Sequence, residues 1–187
     1  MAGKVEIRSL PGLDSIPSPV EDGTTFEDNA RKKAEHYSRL APGKLVLADD
    51  SGLEVEALGG APGVRTARYA ADESSAPASS LSVDQANNAR LLRALEKVAD
   101  KSRGARYVCV LAAARDGRVL AVFRGQAEGV IARAPRGGGG FGYDPLFYVP
   151  ERGKTFAELA PKEKAAVSHR GDAFRKFLEW FQRNADY

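Results

Sequence analysis

The chain has 187 residues, 28% of them charged and 43% hydrophobic, with a formal net charge of +3. That size and balance fit one globular domain with room for two lobes, and exclude a disordered or fibrous chain. No apolar run approaches the roughly 20 residues that span a bilayer, and the N-terminus carries no apolar signal core. A lone cysteine, Cys109, allows no disulfide within the chain, so the reading is a cytoplasmic protein with no membrane partner. The mild basic excess suits a small anionic ligand as well as a plain surface. No basic stripe with interleaved aromatics marks a nucleic-acid partner.

Residues 5–10 alternate and predict a strand, ended by Pro11-Gly12. A loop with Pro17 and Pro19 follows. Thr24 and Glu27 have the spacing of a capping box. The helix behind it would carry Phe26, Ala30, Ala34 and Tyr37 on one face, with Asn29 and Lys33, four apart, on another edge. Leu45-Val46-Leu47-Ala48 then reads as a buried strand between Pro42-Gly43 and Gly52.

Residues 56–70 are rich in Gly, Ala and Arg and read as loop, and residues 72–82 as a low-complexity surface loop. Ser82 and Gln85 form a second capping box, for a helix through Ala89, Leu92, Leu95 and Ala99. An apolar strand over 106–114 meets the hairpin signal Asp116-Gly117, and the chain returns over 119–123 toward Ile131. A four-glycine run at 137–140 precedes a short helical piece at 158–166. Ser168 is placed to cap the last helix, whose apolar face is Phe174, Phe177, Leu178 and Phe181. Strands and helices mix without strict alternation, so the expected architecture is a mixed sheet flanked by helices.

Four segments carry chemistry-bearing residues. In the first, the buried strand delivers Asp49, Asp50 and Ser51. Two carboxylates at such a strand tip repel each other and lose hydration, so a divalent cation is one solution and a polar strand end the other. Successive side chains on a strand point to opposite faces, so only one of the two aspartates would face a given pocket. In the second, Glu21 precedes a helix N-terminus, where it either completes a metal site with Asp50 or simply favours the helix dipole. The third is Gly140-Phe141-Gly142-Tyr143-Asp144-Pro145. There Phe141 could stack on a planar base and Asp144 could accept from ring N–H groups. The fourth gathers Lys164, His169 and Arg170, donors that suit a carbonyl-rich ring edge or a phosphate, or else a solvated helix start. His36 sits on a polar helix face.

Together these segments resemble the Ham1-like inosine/xanthosine triphosphate pyrophosphatases. The matching stretches are Glu21-Asp22-Gly23-Thr24-Thr25-Phe26-Glu27-Asp28-Asn29-Ala30 with Lys33, Ala48 to Val55, Leu58 to Val64 leading to Ala67-Arg68-Tyr69, Gly140 to Pro145, and Ser168-His169-Arg170-Gly171. The resemblance implies an elongated α/β fold with a mixed twisted sheet and a central cleft between two lobes. It implies a homodimer and Mg²⁺-dependent hydrolysis of ITP, dITP and XTP to the monophosphate and pyrophosphate. In that scheme Asp50 is the general base and helps bind Mg²⁺, Glu21 is a metal ligand and Asp49 supports them. Lys33 and Ser51 contact phosphates. Phe141, with Gly142 and Tyr143 beside it, stacks on the purine, while Asp144, Lys164, His169 and Arg170 read the base. A structurally related alternative, a Maf-type pyrophosphatase acting on other nucleotides, is disfavoured by the Phe141 and His169 segments.

The family pattern opens with a strand and a Ser/Thr-x-Asn-x-x-Lys phosphate loop. Here Met1-Ala2-Gly3-Lys4 leads directly into what resembles the family's second strand. The expectation is an N-terminally short chain. It leaves two readings of different class: an active pyrophosphatase, or a remnant that keeps the purine pocket and dimer surface but hydrolyses little.

Overall fold

The computed structural model describes residues 6–72 and 81–184. Most of the low-complexity segment expected as a surface loop lies outside them. Among the described residues there are four α-helices and five strands: α1 (Phe26–Arg39), β1 (Val46–Val55), α2 (Val83–Ala94), β2 (Gly104–Arg115), β3 (Arg118–Ile131), β4 (Phe147–Val149), β5 (Lys154–Thr155), α3 (Pro161–Val167) and α4 (His169–Arg183). The strands form one sheet in the order β1-β2-β3-β4-β5, so neighbours in space are neighbours in sequence. The α/β expectation holds. β3 pairs antiparallel with β4 (Val130 opposite Tyr148), and β4 with β5 (Tyr148 opposite Thr155). No helix among the described residues is long and apolar enough to cross a membrane.

The strand expected at 5–10 does not form within the described part: residues 6–10 lie in no regular element and Ile7 is half exposed. An alternating pattern makes a strand only when a neighbour takes its backbone hydrogen bonds, and no described strand does so here. The first helix starts one residue later than its expected box. Thr25, not Thr24, is the N-cap, its hydroxyl accepting from the Asp28 amide at 3.1 Å while the Asp28 carboxylate accepts from the Thr25 amide. Thr24 donates to Asp28 instead. The Ser82–Gln85 box forms as expected. Its helix, however, ends at Ala94 and buries Asn87 and Leu91; of the expected line through Ala89, Leu92, Leu95 and Ala99, Leu95 is fully buried but caps the helix rather than continuing it. β1 continues past Gly52 to Val55, because Leu53 and Val55 are fully buried apolar side chains that reward the extension.

β2 is buried on both faces from Tyr107 to Ala114, including Cys109, the continuous apolar reading of a covered strand. Asp116 (φ 51°) and Gly117 (φ 80°) make the expected tight turn into β3. The segment read as loop between β1 and α2 is a series of short 3-10 turns, at Glu56–Leu58, Gly63–Arg68 and Ala70–Asp72.

The chain groups into two compact units. Of the described residues, the first comprises those up to Asp50, Val110–Arg124 and those from Ala173 on; the second comprises those within Ser51–Cys109 and Gly125–Asp172. In the first, Phe26, Ala30 and Ala34 of α1 are buried, and Phe123 meets Phe177 and Trp180 edge-on or tilted. In the second, Leu53, Val55, Leu91, Leu95, Tyr107, Tyr143, Leu146, Phe147 and Phe156 form the core.

Arg103 is buried in the second unit and spends its guanidinium on three carbonyls: Ile131 (2.8 Å), Leu95 (2.7 Å) and Ala132 (3.2 Å). It thereby ties the end of α2 to the end of β3. Arg103→Met keeps the bulk but strands those acceptors, at ~1–3 kcal/mol each before relief of the buried charge. Urea unfolding should show a net loss of roughly 2–4 kcal/mol. Burial pushes the phenols of Tyr107 and Tyr143 well above their ordinary value. Both groups stay neutral in the folded state while the unfolded chain ionises near pH ~10. Stability should be unaffected below that pH and fall above it, and Tyr143→Phe should flatten the fall in thermal-melt series at alkaline pH.

Candidate active site

The first cluster lies in the first unit, between the segment ahead of α1, α1 itself and β1. The residues expected for the phosphate end of a nucleotide meet here. Lys33 Nζ donates to Asp50 Oδ1 at 2.8 Å and to Glu21 Oε2 at 3.1 Å. The Lys33 and Asp50 side chains are only 15% and 12% exposed. That is a partly desolvated pair, unlike the open Arg8–Glu6 contact, which is worth little. Burial holds the Asp50 carboxyl above the usual carboxylate range, with Glu21 pushing the same way, against the pull of Lys33 and Asn29. Burial draws the Lys33 ammonium down, but its two carboxylate partners outweigh this and raise it.

β1 runs through the whole Asp49-Asp50-Ser51 stretch, so the pleat sets Asp49 and Ser51 on the face opposite Asp50. Asp49 and Ser51 are half-buried there. Among the described residues no three His, Cys, Asp or Glu side chains gather as a ready-made cage. What converges is two hard carboxylates on one cationic point, the donor set that suits a Mg²⁺ ion keeping water and substrate in its remaining positions.

One member of this cluster was not singled out as functional. Asn29 is 2% exposed and its Nδ2 donates to Asp50 Oδ2 at 3.3 Å. The sequence signal was its place one turn ahead of Lys33, which puts both on the same edge of α1.

The second cluster lies in the second unit, around the glycine run, α3 and the start of α4. Phe141 is 62% exposed, an unusual place for a large aromatic. Asp144 is buried, and its Oδ2 accepts both from the Phe141 amide at 2.8 Å and from Lys164 Nζ. Lys164 Nζ in turn lies 4.9 Å from the centre of the Phe141 ring, within cation–π range. Gly140 has φ +75°, and a Cβ there would collide with the Asp144 carboxylate, so glycine is required for this close turn. Gly142 is held on both sides of its peptide, its N–H donating to Asp84 at 2.7 Å and its carbonyl accepting from Asn88 at 2.9 Å.

Tyr143 is placed in the core, its hydroxyl donating to the Thr66 carbonyl at 2.9 Å, so it anchors the loop rather than facing outward. His169 is buried and stacks nearly parallel on Tyr107, with centroids 4.7 Å apart at 9°. Tyr107 lies within the apolar run of β2, where no local sequence pattern signals its contact with His169. Ser168 caps α4, its hydroxyl accepting from the Gly171 amide at 3.1 Å, and this leaves Arg170 exposed at the helix start. His36 lies beside the Pro17 carbonyl, consistent with a structural contact.

The model of the Ham1 family matches residues 1–180 of the chain. A dITP/XTP pyrophosphatase of Acidobacterium capsulatum is 56% identical over 92% of this chain and 84% of that protein. One from Geobacillus kaustophilus is 50% identical over 95% and 83%. Among solved structures, a HAM1 protein from Coxiella burnetii matches with a TM-score of 0.81 at 42% identity, over 96% of this chain and 88% of that one. The Ham1 protein of Staphylococcus aureus gives 0.77 at 39%, over 91% and 82%. With its acidic and aromatic clusters in the segments that carried the resemblance, the chain belongs to the Ham1 family.

Proposed function

We propose that this protein hydrolyses inosine and xanthosine triphosphates (ITP, dITP and XTP) to the monophosphate and pyrophosphate. The observation that carries the reading is the convergence of Glu21 and Asp50 on the Lys33 ammonium. In the reaction, water adds across the bond between the α- and β-phosphates. One side of the cleaved anhydride leaves as pyrophosphate, and the water proton goes to a base. Asp50 is that base. Its proton affinity is raised by burial, while Lys33 and Asn29 keep the ionised form accessible.

Glu21 and Asp50 would hold Mg²⁺, with Asp49 adding negative charge from the other face of β1. When bound, the ion supplies charge neutralisation at the phosphate oxygens. Lys33 contributes positive charge to the same oxygens.

Base recognition falls to the second cluster. Phe141 offers an open stacking face. Lys164, fixed by Asp144, joins His169 and Arg170 as donors toward the carbonyl at position six, which adenine replaces with an amino group. Unpaired donors against that amino group would discriminate strongly. Mg²⁺ as cofactor, a homodimer and a cytoplasmic location belong to the same reading and are supported by the family resemblance.

Pyrophosphate release from ITP with Mg²⁺ is the direct test. The wild-type chain should release it, and Asp50→Asn should lower kcat by roughly a hundredfold or more. Wild-type release no greater than that of Asp50→Asn would instead support the non-catalytic remnant. Arg170→Ala should lower kcat/KM for ITP, whose base carries the carbonyl at position six, more than for any residual ATP activity; equal losses would remove Arg170 from reading that carbonyl.

A further inference from the structure

The acidic cluster contains a neutral side chain whose placement is more constrained than packing requires. Asn29 is almost fully buried, and both ends of its amide are engaged. Its Oδ1 accepts from the Gly23 backbone N–H at 2.8 Å, and its Nδ2 donates to Asp50 Oδ2 at 3.3 Å. Since the Gly23 amide can only donate, the oxygen end must face it, and the NH₂ end is thereby committed to Asp50. Gly23 makes this approach possible: a Cβ there would sit 2.5 Å from Asn29 Oδ1 and 2.6 Å from Asp28 Cβ. The backbone of Asn29 is fixed too, in the first turn of a helix closed by the Thr25–Asp28 capping box.

We infer that Asn29 is a positioning residue for Asp50, holding the plane of its carboxylate through Oδ2 while Lys33 occupies Oδ1. The inference rests on the proposed pyrophosphatase reading for its consequence in catalysis. Lys33 reaches Asp50 on a flexible four-carbon stem, and one contact to one oxygen leaves the carboxylate free to turn about χ2. A second donor on the other oxygen removes that freedom. The donor is neutral, so it orients the carboxylate without adding positive charge where a cation is to be held. An amide serves better here than a hydroxyl because it must accept from Gly23 and donate to Asp50 at points on opposite ends of one rigid plane.

Asn29→Asp tests this with little change of shape, since it still accepts from Gly23 but offers Asp50 no donor. Asn29→Ala removes both contacts without introducing a second carboxylate. In the 187-residue chain each should lower kcat for ITP by roughly tenfold to a hundredfold, because small misplacement of a reacting group is costly. Binding stoichiometry for the non-hydrolysable α,β-imido analogue of ITP should stay at the wild-type value. A kcat within about twofold of wild type in both variants overturns the inference, as does a joint loss of kcat, stoichiometry and melting temperature, which marks a merely structural role. Crystal structures of wild type and Asn29→Asp give a readout independent of turnover. The Asp50 carboxylate should be turned in the variant, and an unmoved carboxylate overturns the inference. If wild type releases no pyrophosphate from ITP while Asp50 turns in the variant, the functional proposal fails and the positioning role stands.

Discussion

The acidic cluster depends on one charge balance. Asp50 and Glu21 are held together by the Lys33 ammonium, in surroundings that expose little of Asp50 or Lys33. Without that ammonium, Asp50 would carry the cost of burial and the repulsion of Glu21 together. Lys33 alone would be a desolvated cation. Removing one partner of such a buried pair costs ~3–5 kcal/mol, against at most about 1 kcal/mol for an exposed pair. The geometry of α1 and β1 is therefore constrained at this point more tightly than by apolar contact. The cap at Thr25 fixes where α1 begins, which fixes where Asn29 and Lys33 emerge, and these meet the one aspartate of β1 that points their way.

The second cluster repeats the device with a different purpose. Asp144 is again a buried carboxylate held by a lysine and an amide N–H, but both donors fall on the same oxygen, Oδ2. Here the carboxylate is a fastener. It pins the Phe141 peptide on one side and Lys164 on the other, so an exposed ring and a cation are ordered in advance. Ordering a glycine-rich run costs about 1–2 kcal/mol per residue in backbone entropy. The contacts of Gly142 with Asp84 and Asn88, and of Tyr143 with Thr66, offset that cost before any ligand arrives.

Much of this was legible in the sequence where a local rule had one solution. The Ser82–Gln85 box, the Asp116-Gly117 turn and the apolar run of β2 each depend on neighbours a few residues away, and each formed as read. The misses are places where distant structure decided. Residues 6–10 alternate correctly but find no described pairing partner. Thr24 and Thr25 both have an acid three residues on, and only the backbone conformation selects Thr25. The role of Tyr107 was invisible because its stack with His169 joins residues 62 positions apart by sequence number. Tyr143 shows the opposite error: an aromatic beside a candidate stacking ring looked like part of the ligand face, but its hydroxyl belongs to the core.

Selectivity between purines depends on how firmly the base-facing donors are held. Discrimination by unpaired donors works only if the donors cannot turn away to find water. Lys164 is held by Asp144, and the His169 ring is held flat against Tyr107, so neither is free to relax at low cost. Arg170 is exposed at the first turn of α4, where water can meet a donor that the base leaves unpaired. In the proposed scheme, the rejection of adenine therefore rests chiefly on the two restrained donors. Arg170 adds attraction to a carbonyl-bearing base more than penalty against an amino-bearing one. Guanine shares the carbonyl at position six, so these three donors do not by themselves separate it from hypoxanthine. That separation has to come from contacts at position two, where guanine alone presents an amino group.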